Sequence, residues 1–152
     1  MRRESLRLSD RAKAGSFVLS FFITEMGVAA INKLLTNNFM AAQRFANSLD
    51  VDFRDLPPMD ILKAARDLVH LGHKLLTHPV TSGTAPQGSP YVSIIISAEG
   101  ATTDFDSVSI IESAIAVYTK TKIIHQLPEN IAKDFMLIDC EMLAKDTQIY
   151  KT

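Results

Sequence analysis

The sequence predicts an α/β fold: a single three-layer domain with a small, mainly parallel (mixed) sheet flanked by helices. Three observations carry that expectation. Strand-like and helix-periodic segments alternate along the chain, the pattern of layered α/β architectures. Ile94-Ile95-Ile96 is apolar toward both faces, as in a strand covered by helices on each side. From Pro58 to Leu71, Ile61, Ala64, Ala65, Leu68 and Val69 form one apolar stripe, with Lys63, Arg66, Asp67 and His70 turned away from it.

The remaining elements follow in chain order. Val28–Leu35 is apolar apart from Asn32 and Lys33, and its second half reads as a strand stopped at Thr36-Asn37-Asn38. Phe39, Ala42, Phe45 and Ala46 then share a helical face, with Asn37 or Asn38 as N-cap. Val51-Asp52-Phe53-Arg54 alternates like a short edge strand, ended by Pro57-Pro58. Pro58 suits a first helical turn, and Gly72 suits the left-handed position after the last one. Lys74–Thr77 is expected to be a short strand, separated from the strand Tyr91–Ala98 by the polar stretch Pro79 to Ser89. With no helix between them, these two strands are antiparallel neighbours unless that stretch acts as a crossover. A second amphipathic helix runs from Asp106 or Ser107 to about Lys120. Leu127–Asn130 opens a short turn or helix, Phe135–Ile138 reads as a last buried strand, and Glu141–Lys145 as a terminal helical turn.

Composition bounds the function classes. The chain has 152 residues, enough for one domain with a continuous core, and 47% of them are hydrophobic. Sixteen basic against seventeen acidic residues leave a net charge of −1, so no global field draws it to nucleic acid or to an anionic membrane. Trp is absent, so base-stacking platforms are poorly supplied. Cys140 stands alone, which excludes an intrachain disulfide framework and agrees with a cytoplasmic location. Arg2, Arg3, Arg7, Arg11 and Lys13 precede the apolar run Ser16–Ile23 in the outline of a secretory signal. Glu25 breaks that run, however, and the cleavage pattern that follows is loose. Residues 1–30 are expected to be an N-terminal extension, or the start is assigned too early and the true beginning is Met26. The α/β domain is then 31–152.

Sites in α/β sheets lie beyond the C-terminal ends of strands. Two such ends are polar here: Thr36, Asn37 and Asn38 after the first strand, and Thr77 and His78 after the short one. If they meet on one rim, the hydroxyls and backbone of Ser82 and Gly83 could cover it, with Tyr91 at the return and Lys74 or His78 as charge partner. The guest would be a small polar or anionic molecule. The bland reading assigns the same residues to helix capping, strand ending and ordinary loop. No metal and no cofactor are expected: His73 and His78 fall on opposite strand faces, His125 has no ligand neighbour, and no zinc spacing occurs. Neither a nucleophile elbow nor a phosphate loop is present. Cys140 reads as a small core residue.

A family resemblance follows from these same residues. Thr36-Asn37-Asn38, the helix Asp60–His70 with Arg66-Asp67-Leu68-Val69-His70, the block Gly72–Pro79, and Ser82-Gly83, Pro86 and Pro90-Tyr91 resemble the GrdX family. The resemblance runs from about Leu34 to Asp139 and is most specific over Gly72–Tyr91. Residues 1 to about 30 depart from the family pattern, in which the Thr-Asn-Asn element lies near the start. The resemblance implies an accessory, non-catalytic protein encoded with glycine, sarcosine and betaine reductase. Reductase components are then its expected partners, and a homodimer its expected assembly if it self-associates. It assigns no catalytic residue. The rival expectation is an enzyme acting on a small anionic or phosphorylated metabolite through Lys74, His78 and the loop 79–90.

Overall fold

Helices lie on both faces of a three-stranded sheet in the computed structural model, which describes residues 30–79 and 88–149. The elements are β1 (Lys33–Thr36), α1 (Phe39–Arg44), β2 (Asp50–Phe53), α2 (Pro58–His70), β3 (Ser93–Ile96), α3 (Phe105–Lys120) and α4 (Glu129–Ile149). The strand order is β2-β1-β3. β1 runs parallel to β2, with Leu34 opposite Val51, and antiparallel to β3, with Leu34 opposite Ile95. The sheet is therefore mixed, and β2 is an edge strand. From Ile31 onward the described residues form one compact unit. The expectations for residues 1–29 lie outside the described residues. Among the described residues, no helix is long and apolar enough to cross a membrane.

Strand alternation divides the core into two clusters. On one face, Leu35, Ile94 and Ile96 pack against Ile61, Leu62, Ala65 and Val69 of α2 and Ile111 and Ala114 of α3. On the other, Leu34 and Ile95 pack against Ala41, Phe45, Cys140 and Leu143. Leu34 and Leu35 are both fully buried, which is why β1 reads as apolar at successive positions. Full burial of a Leu or Ile side chain contributes about 1.5–3 kcal/mol each, so among the described residues the α2/α3 face, with the larger set of buried aliphatic side chains, is the stronger source of stability.

The segment after Gly72 extends the sheet by a single bridge. Leu75 pairs antiparallel with Ile96, the Leu76 N–H donates to the Ile95 carbonyl at 2.9 Å, and the Ser97 N–H donates to the Lys74 carbonyl at 2.8 Å. The antiparallel alternative for these neighbours is the one observed. Ladder pairing stops at Thr77, whose Oγ1 accepts the Ile95 N–H at 2.9 Å in place of a backbone carbonyl.

Phe135–Ile138 is not a strand. It lies inside the 21-residue helix α4, which also absorbs Glu141–Lys145. A four-residue apolar run is the same signal in a buried strand and in one turn of a buried helix. The deciding features are longer in range: no Gly or Pro follows Pro128, and Cys140, Leu143 and Ala144 recur at helical spacing toward the sheet. The start of α3 was also uncertain from sequence; the helix begins at Phe105, because Asp104 is the cap and accepts the Ser107 N–H at 3.0 Å.

Gly72 ends α2 with φ +100°, and its carbonyl accepts the Ala101 N–H at 3.1 Å. A Cβ here would collide with the Ala101 carbonyl oxygen, in a backbone region that already disfavours L side chains. Gly72→Ala is expected to lower stability by more than about 1 kcal/mol, since strain outweighs the stabilisation that comes from reducing the entropy of the unfolded chain. A denaturant midpoint equal to or above that of the parent would contradict this account of the turn.

Candidate functional site

Thr36 ends β1 with its side chain on the α1/α4 face, directly opposite Ser93 at the start of β3. The two hydroxyls are 2.7 Å apart. Ser93 Oγ donates to Asp139 Oδ2 of α4 at 2.6 Å, and the Asn38 N–H donates to Thr36 Oγ1 at 2.9 Å. Ser93 has one proton and gives it to the carboxyl, so Thr36 must be the donor in the hydroxyl pair. The result is a one-way chain from Asn38 N–H through Thr36 and Ser93 to Asp139.

Asn38 closes the network. It is the N-cap of α1, its Oδ1 accepting the N–H groups of Met40 at 3.0 Å and Ala41 at 3.3 Å. Its Nδ2 donates to Asp139 Oδ2 at 2.8 Å and to the Met136 carbonyl at 2.9 Å. One fully buried amide therefore caps α1 and grips α4. Asn37 does a parallel task on the other side of the rim. Its Nδ2 donates to the carbonyls of Leu56 and Pro90 at 2.9 and 2.8 Å, and its Oδ1 accepts the Val92 N–H at 2.8 Å.

Asp139 is only half-buried as a residue, yet burial of its carboxyl pushes its pKa above the usual carboxylate value. The hydrogen bonds from Asn38 and Ser93 favour the charged form and oppose that shift without cancelling it. Tyr118 of α3 feels the same environment: burial, with the Asp139 charge adding to it, pushes its phenol up to about 12. Asp139 and Glu141 do not act as a pair. Two residues apart on a helix, they point about 200° apart, and Glu141 instead binds Arg44 Nη1 at 2.5 Å.

The residues singled out from the sequence divide into three groups. Thr36, Asn37, Asn38 and Thr77 lie at one end of the sheet, and all four are buried. β3 runs between the two polar corners, so they share an edge without being neighbours. Tyr91 is half-buried at that same end, next to the Asn37 bonds, and His78 is exposed beyond Thr77. Lys74 is exposed at the opposite end of the bridge segment, beside Ser97, about 10 Å of strand away from Thr77. Ser82 and Gly83 lie outside the described residues.

Ser93, Asp139 and Tyr118 carry the polar chemistry of this end; from the sequence, Asp139 enters only as an i, i+2 pair with Glu141, too weak for an acid/base couple, and Ser93 and Tyr118 are not singled out as site residues. Asp139 had one available signal, an acidic residue next to apolar ones in a run taken to be buried. Ser93 gave none, since a Ser beside an Ile triplet is ordinary. Among the described residues, no group of three His, Cys, Asp or Glu side chains could hold a metal ion.

The fold and this strand end define a small α/β/α protein whose sheet edge is sealed by an internal polar network. The chain belongs to the GrdX-like protein family, whose model matches residues 33–148. That span runs from the first residue of β1 nearly to the end of α4 and so includes every member of the network. No curated protein and no solved structure matches the chain.

Two outcomes are expected. Thr36→Val leaves the Asn38 N–H without its acceptor and takes the donor from Ser93 Oγ, which keeps its bond to Asp139; it should cost about 1–3 kcal/mol, and a loss under half of that in chemical denaturation would mean the network relaxes. Asp139→Asn keeps an acceptor for Ser93 and Asn38 but cannot ionise. Because the folded-state pKa of Asp139 is raised above the usual 3.8, the folded protein holds its proton more tightly than the unfolded chain. Stability from this group is therefore full below that value and is lost as pH rises through the raised one. The Asn variant should gain on the parent as pH rises across that window. Parallel pH–stability curves would show that the carboxyl is not the source.

Proposed function

We propose that this protein is an accessory, non-catalytic component of the glycine, sarcosine and betaine reductase system, working in the cytoplasm by contact with a reductase component. The association itself rests on the family. The observation that carries the non-catalytic part is the condition of the strand ends. Thr36, Asn37, Asn38 and Thr77 give their polar atoms to the protein's own backbone and side chains. Around them, apolar groups face solvent: Phe39 is 57% exposed, Phe53 41% and Leu56 43%, with the two rings packed edge to face at 5.9 Å. Polar groups engaged in this way favour holding a shape over processing a substrate, and an aromatic rim of this kind suits a protein contact.

A pull-down with the tagged protein from glycine-grown cells tests the reading. A reductase component should be retained by the parent and lost with Phe53→Asp, whose fold is checked by circular dichroism. Recovery of no reductase component by the parent would overturn the proposal. A thermal-shift panel of small carboxylates and phosphate esters addresses the ligand rim around His78 and Tyr91. A bound ligand at tenfold its Kd would add about 1.4 kcal/mol of stability, and the accessory reading expects no compound to do so.

A further inference from the structure

Helix α4 buries Cys140 and Leu143 toward the sheet, but its sequence carries a second apolar seam. Ile131, Phe135, Ile138 and Met142 recur at intervals of four, three and four residues, the d-a-d-a spacing of an antiparallel or parallel helix pair. At about 100° per residue they occupy a stripe roughly 60° wide, turned well away from the buried side. Ile131 is 36% exposed and Ile138 38%, while Phe135 at one edge of the stripe and Met142 within it are half-buried. Scattered exposed apolar residues need no explanation; four on one heptad seam of a helix about 31 Å long are a different matter.

The charges beside the seam select the occupant. Asp134 and Lys145 lie on the same flank of the stripe, within about 20° of each other around the axis. Among the described residues neither is in an ion pair. In an antiparallel pair related by a two-fold axis, each flank faces its own copy with the direction reversed. An axis at the level of Asp139 and Cys140 then sets Asp134 against the partner subunit's Lys145, twice over. In that register Ile138 meets Met142 of the partner subunit. The flank is also self-balanced in charge, because Arg44 already neutralises Glu141 near the axis.

We propose that the outward face of α4 binds a second copy of this chain, α4 packing antiparallel on α4. This inference does not depend on the reductase association. Sedimentation velocity of the full chain over a concentration series should show a reversible dimer. Ile138→Asp should abolish it with the helical circular dichroism spectrum unchanged. Lys145→Glu places like charges together twice and should weaken the dimer roughly tenfold or more, while adding Asp134→Lys should restore it. A parent that stays monomeric at every concentration overturns the proposal, as does a dimer indifferent to both the single and the paired charge changes. If the parent is monomeric and Ile138→Asp instead abolishes retention of a reductase component, the face belongs to that partner and the second-copy assignment is wrong.

Discussion

Asn38 is the residue on which the two sides of this fold depend. Its amide is fully buried, yet each of its atoms has a partner, because it reaches at once the first turn of α1, the carboxyl of Asp139 and the backbone of α4. The short chain through Thr36 and Ser93 leads to the same carboxyl oxygen. Apolar packing alone would let α4 slide along the face made by Leu34 and Ile95, since hydrophobic attraction has no direction. The polar network has direction and fixes the helix in register. Buried networks of this kind help only when complete, because any member left without a partner keeps its full desolvation cost. Among the described residues no buried side-chain nitrogen or oxygen lacks a partner.

The carboxyl at the centre of this arrangement is there at a cost. Burial opposes its charge more strongly than Asn38 and Ser93 support it, and its charge adds to the effect of burial on Tyr118. The geometry around it also explains why a ligand rim drawn from the sequence changes character once folded. Residue types that bind anions well, hydroxyls and amides at strand ends, are the same types that satisfy strand and helix ends. Here the second use prevails for Thr36, Asn37, Asn38 and Thr77. Lys74 is removed from the rim by position alone, at the far end of the bridge segment.

Much of the architecture was legible in the sequence because it is written in short-range signals. The apolar stripe of α2, the Gly72 stop, the apolar-on-both-faces run at Ile94–Ile96 and an Asn cap on α1, which Asn38 supplies, all follow from local chemistry. Two features escaped. The run Phe135–Ile138 carries the same apolar signal in a strand and in a helix, and only spacing over the whole of Glu129–Ile149 separates the two. The partnership of Asp139 with Asn38 and Ser93 spans 101 and 46 positions of chain. No periodicity or motif encodes such a contact; it exists only once both faces of the sheet are covered. The polar corners at Asn38 and Thr77 are expected on one rim only if their strands are parallel neighbours; β3 lies between them instead and runs antiparallel to both, a placement no local pattern carries.

The late position of α4 in the chain has a consequence for biosynthesis. Translation delivers β1, α1, β2, α2, β3 and α3 first, and these suffice to bury the face carrying Leu35, Ile94 and Ile96. The opposite face, with Leu34 and Ile95, is covered only in part, by Ala41 and Phe45 beside α1, until the final helix leaves the ribosome, and the hydroxyls of Thr36 and Ser93 wait with it. A nascent chain stalled before Asp139 would be half-insulated, its remaining apolar surface open to chaperones or to aggregation.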